Sequence, residues 1–164
     1  MKNKASVIDI LCRQARGSAG RTLRETIAAP IHVARTRGIA GEQFFAYQAL
    51  EKKELYVAQL LGDNLPYDLL VDSGLEILRL QIKTTTTEVE GKPGKFGFAL
   101  QHGGNGSSYQ DGTVDFFGLV VLPLTTIYIV PQSSMNGRVK AYVYPGNPNS
   151  IGRLEVYREN WDLL

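Results

Sequence analysis

Between Leu78 and Lys83 the chain alternates strictly, with apolar Leu78, Leu80 and Ile82 interleaved with Arg79, Gln81 and Lys83. A period of two predicts a strand, here from Glu76 to about Thr85, with aliphatic residues packed on one face and a basic, amide and basic row on the other. Just before it, Leu69-Leu70-Val71 leads into Asp72-Ser73-Gly74. This reads as a strand from Tyr67 to Val71 closing in a turn, where the glycine supplies the backbone freedom that reversal needs. The hairpin sets Asp68 where the first strand enters the sheet, with Gln81 and Lys83 beside it on the return.

The rest of the pattern builds around that hairpin. Val7, Ile8, Ile10 and Leu11 have helical spacing that ends at Gly17-Ser18-Ala19-Gly20, and a second helix is expected from about Thr22 to Ala29, stopped by Pro30. The strongest helical pattern runs from Ile39 to about Lys52, with Phe44, Phe45, Ala49 and Leu50 on its apolar face. Leu55 to Leu61 reads as a strand, so the helix is followed by a meander. Further strands are expected at Lys95 to Gln101, Phe116 to Leu122, Thr126 to Val130 and Val139 to Tyr144, with a short helix from Glu155 to Leu164. The glycine-dense segment 102–108 is no nucleotide-phosphate loop, because no Gly-Lys-Ser/Thr follows it and no helix pattern begins there.

Composition narrows the class. With 164 residues, 43% hydrophobic and 21% charged, the chain has the size and make-up of one ordinary globular domain. Its apolar runs are too short to cross a bilayer, and Asp9, Arg13 and Arg16 interrupt the N-terminal stretch too early for a signal peptide. Cys12 is the single cysteine, which argues against a disulfide framework and for a reducing, cytoplasmic setting. His32 and His102 lack ligand-spaced partners, so no zinc site is expected.

Charge is unevenly spread. Residues 1–40 hold eight Lys or Arg (Lys2, Lys4, Arg13, Arg16, Arg21, Arg24, Arg35, Arg37) against Asp9 and Glu25, a net +6; the remaining ten basic and fourteen acidic residues give −4. A basic arm on a mildly acidic body suits a polyanion such as DNA, with Arg13, Arg16, Arg21, Arg24, Arg35 and Arg37 as candidate phosphate contacts. A solvated arginine-rich helical face would produce the same count.

The hairpin has the residues that metal-assisted phosphodiester hydrolysis requires. Asp68 is a hard anionic ligand suited to Mg2+, the amide oxygen of Gln81 and the backbone carbonyl of Ile82 offer two further oxygens, and Lys83 is placed for the scissile phosphate and the attacking water. Glu42, from the helix opening Gly38-Ile39-Ala40-Gly41-Glu42, is placed to add a carboxylate. Asp115 precedes an apolar strand and reads as a structural hydrogen-bond acceptor.

Glu42 on a helix starting Gly-x-x-Gly-Glu, Asp68 on a strand, then Gln81-x-Lys83 ending an apolar strand is similar to the PD-(D/E)XK nuclease superfamily. Tyr109, Val114-Asp115-Phe116-Phe117 and Tyr128-Ile129-Val130-Pro131 resemble features that follow the core in resolvase-like members. The glutamine departs from the usual acid, and Gln-x-Lys resembles the bacterial homing endonucleases encoded in group I introns. The resemblance implies an α/β fold with a restriction-endonuclease-like core, a central mixed sheet flanked by helices in residues 38–164, preceded by a basic helical arm, residues 1–37. It implies a site-specific, Mg2+-dependent endonuclease acting on double-stranded DNA, with Mn2+ as a substitute ion and a homodimer or homotetramer as its assembly. Two alternatives stay open: a nuclease fold that binds DNA without cutting it, and a junction-resolving or repair nuclease.

Overall fold

The computed structural model describes residues 23–61, 65–102, 107–147, 150 and 152–164, with backbone alone for residues 23–32 and 102. The chain divides into two compact units, Met1–Thr36 and Arg37–Leu164. Expectations for residues 1–22, including those on Cys12, Arg13, Arg16 and Arg21, lie outside the described residues, and Arg24 and His32 are described by backbone alone.

The first described element is a single helix, α1, Leu23–Lys53, and not two helices separated at Pro30. A proline removes one intrahelical donor, which costs stability without forcing an end when the residues on either side hold helical geometry. From Arg37 onward α1 presents Gly41, Phe45 and Ala49, all buried, at the spacing of four that keeps side chains on one face. Its C-terminal turn carries Lys52 and Lys53, cations at the end where the helix dipole is negative.

The strands that follow are β1 (Tyr56–Gln59), β2 (Leu69–Asp72), β3 (Ile77–Thr85), β4 (Phe96–Ala99), β5 (Gln101–His102), β6 (Ser107–Ser108), β7 (Phe116–Val121), β8 (Thr126–Pro131) and β9 (Lys140–Val143). Five of them form the main sheet in the order β1-β2-β3-β7-β8. All neighbours in it are antiparallel except β3 and β7, which run parallel, so the sheet is mixed. The expected meander is therefore β1 to β3, and the chain returns to its far side through β7. The segment expected as one strand from Lys95 to Gln101 splits, with β4 pairing β9 and β5 pairing β6 in two small separate sheets.

Both faces of the main sheet are covered. On one, Leu69, Val71, Leu78, Leu80, Ile82, Val120, Ile127 and Ile129 pack with Phe45, Ala49 and Trp161. On the other, Phe117, Leu119, Val121, Tyr128 and Val130 pack with Phe96, Phe98, Ala141 and Val143 of the β4–β9 sheet and with Tyr109 and Met135. This explains the unbroken apolar run of β7, which has an interior on either side. Helices on both faces were expected; among the described residues a helix covers one face and a small sheet the other.

Gly118 and Gly41 let the layers approach. A Cβ at Gly118 would stand 2.5 Å from Ile82 Cδ1 and 2.9 Å from the Phe45 ring, and one at Gly41 would stand 1.9 Å from Thr84 Oγ1. The C-terminal helix expected at Glu155 to Leu164 is instead two 3-10 turns, Glu155–Tyr157 and Trp161–Leu163. Glu159 lies between them with φ 50°, a left-handed conformation that a continuous helix cannot contain. Trp161 docks against α1, its ring centroid 5.3 Å from that of Phe45. Among the described residues no helix is long and apolar enough to cross a membrane.

Candidate active site

The site forms where β2 and β3 part company. Their register runs from Asp72 opposite Ile77 to Leu69 opposite Leu80, and Asp68 closes it by donating its N–H to the Leu80 carbonyl at 2.9 Å. β3 continues to Thr85 alongside β7 alone, so on its other side the next backbone donor needs a new partner. Asp68 supplies it, because its Oδ2 accepts the Ile82 N–H at 2.8 Å. A carboxylate thus takes the place of a backbone carbonyl and is fixed at the opening edge of the sheet.

Gln81 stands beside it and, among the described residues, is the one polar residue buried with the hydrophobic core, at 7% exposure. Its Nε2 donates to Asp68 Oδ2 and, at 3.3 Å, to the Ile82 carbonyl oxygen. Both partners can only accept, which fixes the amide with its nitrogen toward them. The alternation predicted for β3 is present: Leu78, Leu80 and Ile82 belong to the helix-side core, while Gln81 and Lys83 occupy the opposite face. Thr84 follows the same rule and meets Gly41 on the helix side, so its hydroxyl is turned away from the face carrying Lys83.

Lys83 is half-buried. Burial pulls its ammonium below the ordinary lysine value, and the negative charges of Asp68 and then Glu42 oppose that pull. Nζ stands 5.7 Å from the centroid of the Tyr109 ring, which packs edge-on against Phe117 with centroids 5.1 Å apart. Phe117 is in turn the β7 neighbour of Gln81. Burial and then the charge of Asp68 hold the Tyr109 hydroxyl above its ordinary value, keeping it neutral. Asp68, Gln81, Lys83 and Tyr109 therefore form one cluster, with Glu42 close enough to act on Lys83 through its charge.

Glu42 reaches this end of the sheet from α1, immediately after the glycine that contacts β3. Its Oε2 accepts from Gln59 Nε2 at 3.1 Å, and Gln59 Oε1 accepts from Gln43 at 2.5 Å. Nothing in the sequence marked Gln59, because its part depends on β1 lying at the sheet edge next to the helix. Tyr109 had no local signal for contact with Lys83 either, since 26 positions of chain separate them.

Asp115 lies outside the cluster. It accepts Arg79 N–H at 2.7 Å, Arg79 Nε at 3.1 Å and Arg79 Nη2 at 2.9 Å. It also donates its own N–H to the Arg79 carbonyl at 2.8 Å. Burial acts to raise its pKa, but the hydrogen bonds and charge of Arg79 outweigh that and hold it below the usual aspartate value. Asp115 is thus the structural acceptor expected, tying the start of β7 to β3. Arg35 and Arg37 are both exposed on α1.

The donor set suits a hard cation. Asp68 Oδ2 and the Ile82 carbonyl oxygen converge on a single point, now held by the Gln81 amide nitrogen, and the amide oxygen is a half-turn of the same group away. Oxygens of this kind match Mg2+, which takes few protein ligands and keeps several waters. Among the described residues no three His, Cys, Asp or Glu side chains gather for a metal, so a cation at this point would depend on the amide and carbonyl oxygens.

The mixed sheet thus carries a carboxylate at its opening edge and an amide-x-lysine row on the adjacent strand. The chain belongs to the PD-(D/E)XK endonuclease family, which matches residues 32–159, a family of hydrolases. Its fold is similar to that of a bacterial homing endonuclease, I-Ssp6803I, with a TM-score of 0.65 and 23% sequence identity over 79% of this chain and 88% of that one. No curated protein matches the chain.

Proposed function

We propose that this protein is a metal-dependent DNA endonuclease of the homing type. The observation that carries the reading is the convergence of Asp68, Gln81 and the Ile82 carbonyl beside the half-buried Lys83. Asp68, the Ile82 carbonyl and Gln81 Oε1 would hold Mg2+, with Glu42 adding a carboxylate from the helix side. A divalent cation held there would supply stabilisation of charge on the phosphate and a lowered pKa for the attacking water. Lys83 presents its ammonium to the scissile phosphate, where partial removal from water strengthens its attraction for the charge that develops. Asp68 and Glu42 keep that ammonium charged, and Tyr109 supports it from beneath.

DNA as substrate draws on the likeness to a homing endonuclease, and on the excess of positive charge in residues 1–40. Arg13, Arg16, Arg21, Arg24, Arg35 and Arg37 are assigned to backbone phosphates, which attract without reading sequence. A homodimer or homotetramer would let two such sites act on both strands of one target. Residues 1–37 form the gripping arm and 38–164 the cutting domain.

A second reading, a nuclease fold that binds DNA without cutting it, is favoured by one observation: Gln81 is neutral and turns its N–H group, not an oxygen, toward Asp68. Supercoiled plasmid incubated with Mg2+ separates the two. The wild-type protein is expected to nick and linearise it while Asp68→Ala and Lys83→Ala do not. Equal inactivity of all three on every DNA form, with metal-independent binding that falls steeply as salt rises, would establish the second reading.

A further inference from the structure

Two oxygens at the edge of the sheet, Asp68 Oδ2 and the Ile82 carbonyl, both face the Gln81 amide nitrogen. The pair is only partly open to water and Gln81 is buried. Two acceptors turned toward each other across a buried point repel unless something with positive character lies between them. A cation can serve, and so can a carboxamide N–H group. We propose that Gln81 is a stand-in for the metal: in the cation-free protein its NH2 bridges Asp68 and Ile82, and it turns over to present Oε1 when a divalent ion takes that place.

This gives glutamine a role that an acid cannot fill. A glutamate at position 81 would set a second carboxylate against Asp68 and the Ile82 carbonyl, and a bound cation would then contribute more to holding the edge of the sheet together than it does beside glutamine. Glutamine offers both polarities from one side chain, because rotation about its terminal bond exchanges N–H for oxygen with no change in volume. The weaker charge of the site is the counterpart of an edge that stays closed without metal. Asp68 Oδ2 also keeps the Ile82 N–H through the exchange, since the donor of that bond is the Ile82 backbone and not the Gln81 amide.

The inference rests on the metal-site part of the proposed function, but it is tested without cleavage. Thermal unfolding is measured for wild type, Gln81→Glu, Asp68→Asn and the double variant, first in EDTA and then with Ca2+, which binds hard oxygen sites. In EDTA at neutral pH, Gln81→Glu is expected to melt about 4–8 °C below wild type, the range for one buried bridge turned into a repulsion in a chain of this size. In the Asp68→Asn background most of that loss should vanish, because the opposing carboxylate is gone. Ca2+ should then raise the melting temperature of Gln81→Glu by more than that of wild type. A Gln81→Glu protein as stable as wild type in EDTA, or a loss undiminished by Asp68→Asn, would overturn the bridge. A loss as expected, but with no greater Ca2+ gain in Gln81→Glu than in wild type, would overturn the stand-in role and leave an ordinary hydrogen bond. None of these outcomes depends on whether DNA is cut, so failure here and failure of the endonuclease reading are separately visible.

Discussion

The Asp68 carboxylate accepts the backbone N–H of Ile82 at 2.8 Å, so the residue assigned to the metal also completes the sheet. These two duties separate by substitution. Asp68→Asn retains an acceptor oxygen for Ile82 and loses the charge, whereas Asp68→Ala loses both. We expect both variants to lose DNA cleavage. Chemical denaturation should place Asp68→Ala about 1–3 kcal/mol below wild type, the cost of a buried N–H left unmet, and Asp68→Asn much closer to it. Equal destabilisation of the two would remove the structural duty.

Gly41 places α1 against β3 one residue before Glu42. In an open helix Gly→Ala stabilises by roughly 0.5–1 kcal/mol, but here the new methyl would lie 1.9 Å from Thr84 Oγ1. The threonine and the helix must move apart. Overpacking of this kind costs about 1–3 kcal/mol, so Gly41→Ala is expected to destabilise. It should also slow cleavage beyond what stability explains, because Glu42 moves with the helix. Gly38→Ala provides the control, since its Cβ would meet nothing within 4 Å; urea titration of the pair should show opposite signs.

Sequence pattern reached the centre of this protein better than its ends. The alternation of Leu78 to Lys83 was enough to assign each side chain of β3 to a face, because period two leaves no freedom once a strand is accepted. The turn at Asp72-Ser73-Gly74 was enough to bring Asp68 to Gln81. What the pattern could not give were relationships between segments far apart in the chain: Gln59 on Glu42, Tyr109 beneath Lys83, Arg79 gripping Asp115. The terminal helix was misread for a related reason. Glu155 to Leu164 has helical composition, but Glu159 bonds to Ile127 and Lys52, and those contacts hold the backbone in a conformation that local propensity disfavours. The helix through Pro30 shows the opposite error, a strong local signal read as decisive.

Glu159 ties three elements together. Its Oε1 accepts Ile127 N–H of β8 at 2.7 Å, its Oε2 accepts Trp161 Nε1 at 3.0 Å and Lys52 Nζ of α1 at 2.5 Å. Burial works to raise its pKa, but those donors outweigh it and hold the carboxyl below the usual value of 4.5. A depressed carboxyl stabilises the fold at every pH above its unfolded value, and the contribution is lost as pH falls through the folded one. Glu159→Gln should therefore lower stability at pH 7, and wild type should lose that advantage below about pH 4.5. Melting temperatures of the two proteins, followed from pH 7 to pH 3, are expected to converge; a constant gap would show that charge is not what Glu159 contributes.

Under the proposed function, Lys83 is the side chain on which cleavage is expected to depend while the fold does not. Among the described residues it forms no strand-to-strand bond through its side chain, and its ammonium is held below its ordinary pKa chiefly by burial, so removing it relieves a desolvation cost as well as losing a charge. Lys83→Ala should consequently melt within a few degrees of wild type and bind DNA with little change, since phosphate contacts elsewhere supply the affinity. Its single-turnover cleavage rate should nevertheless fall about a hundredfold or more, the scale set by loss of one preorganised charge at a reacting oxygen. Lys83→Arg should not restore the rate. A guanidinium is planar, larger and spreads its charge over a fork, whereas the position above the Tyr109 ring, 5.7 Å from its centroid, accommodates a compact ammonium beside Asp68. Full activity of Lys83→Arg would mean that any positive charge suffices there, and that the cluster of Asp68, Lys83 and Tyr109 positions nothing.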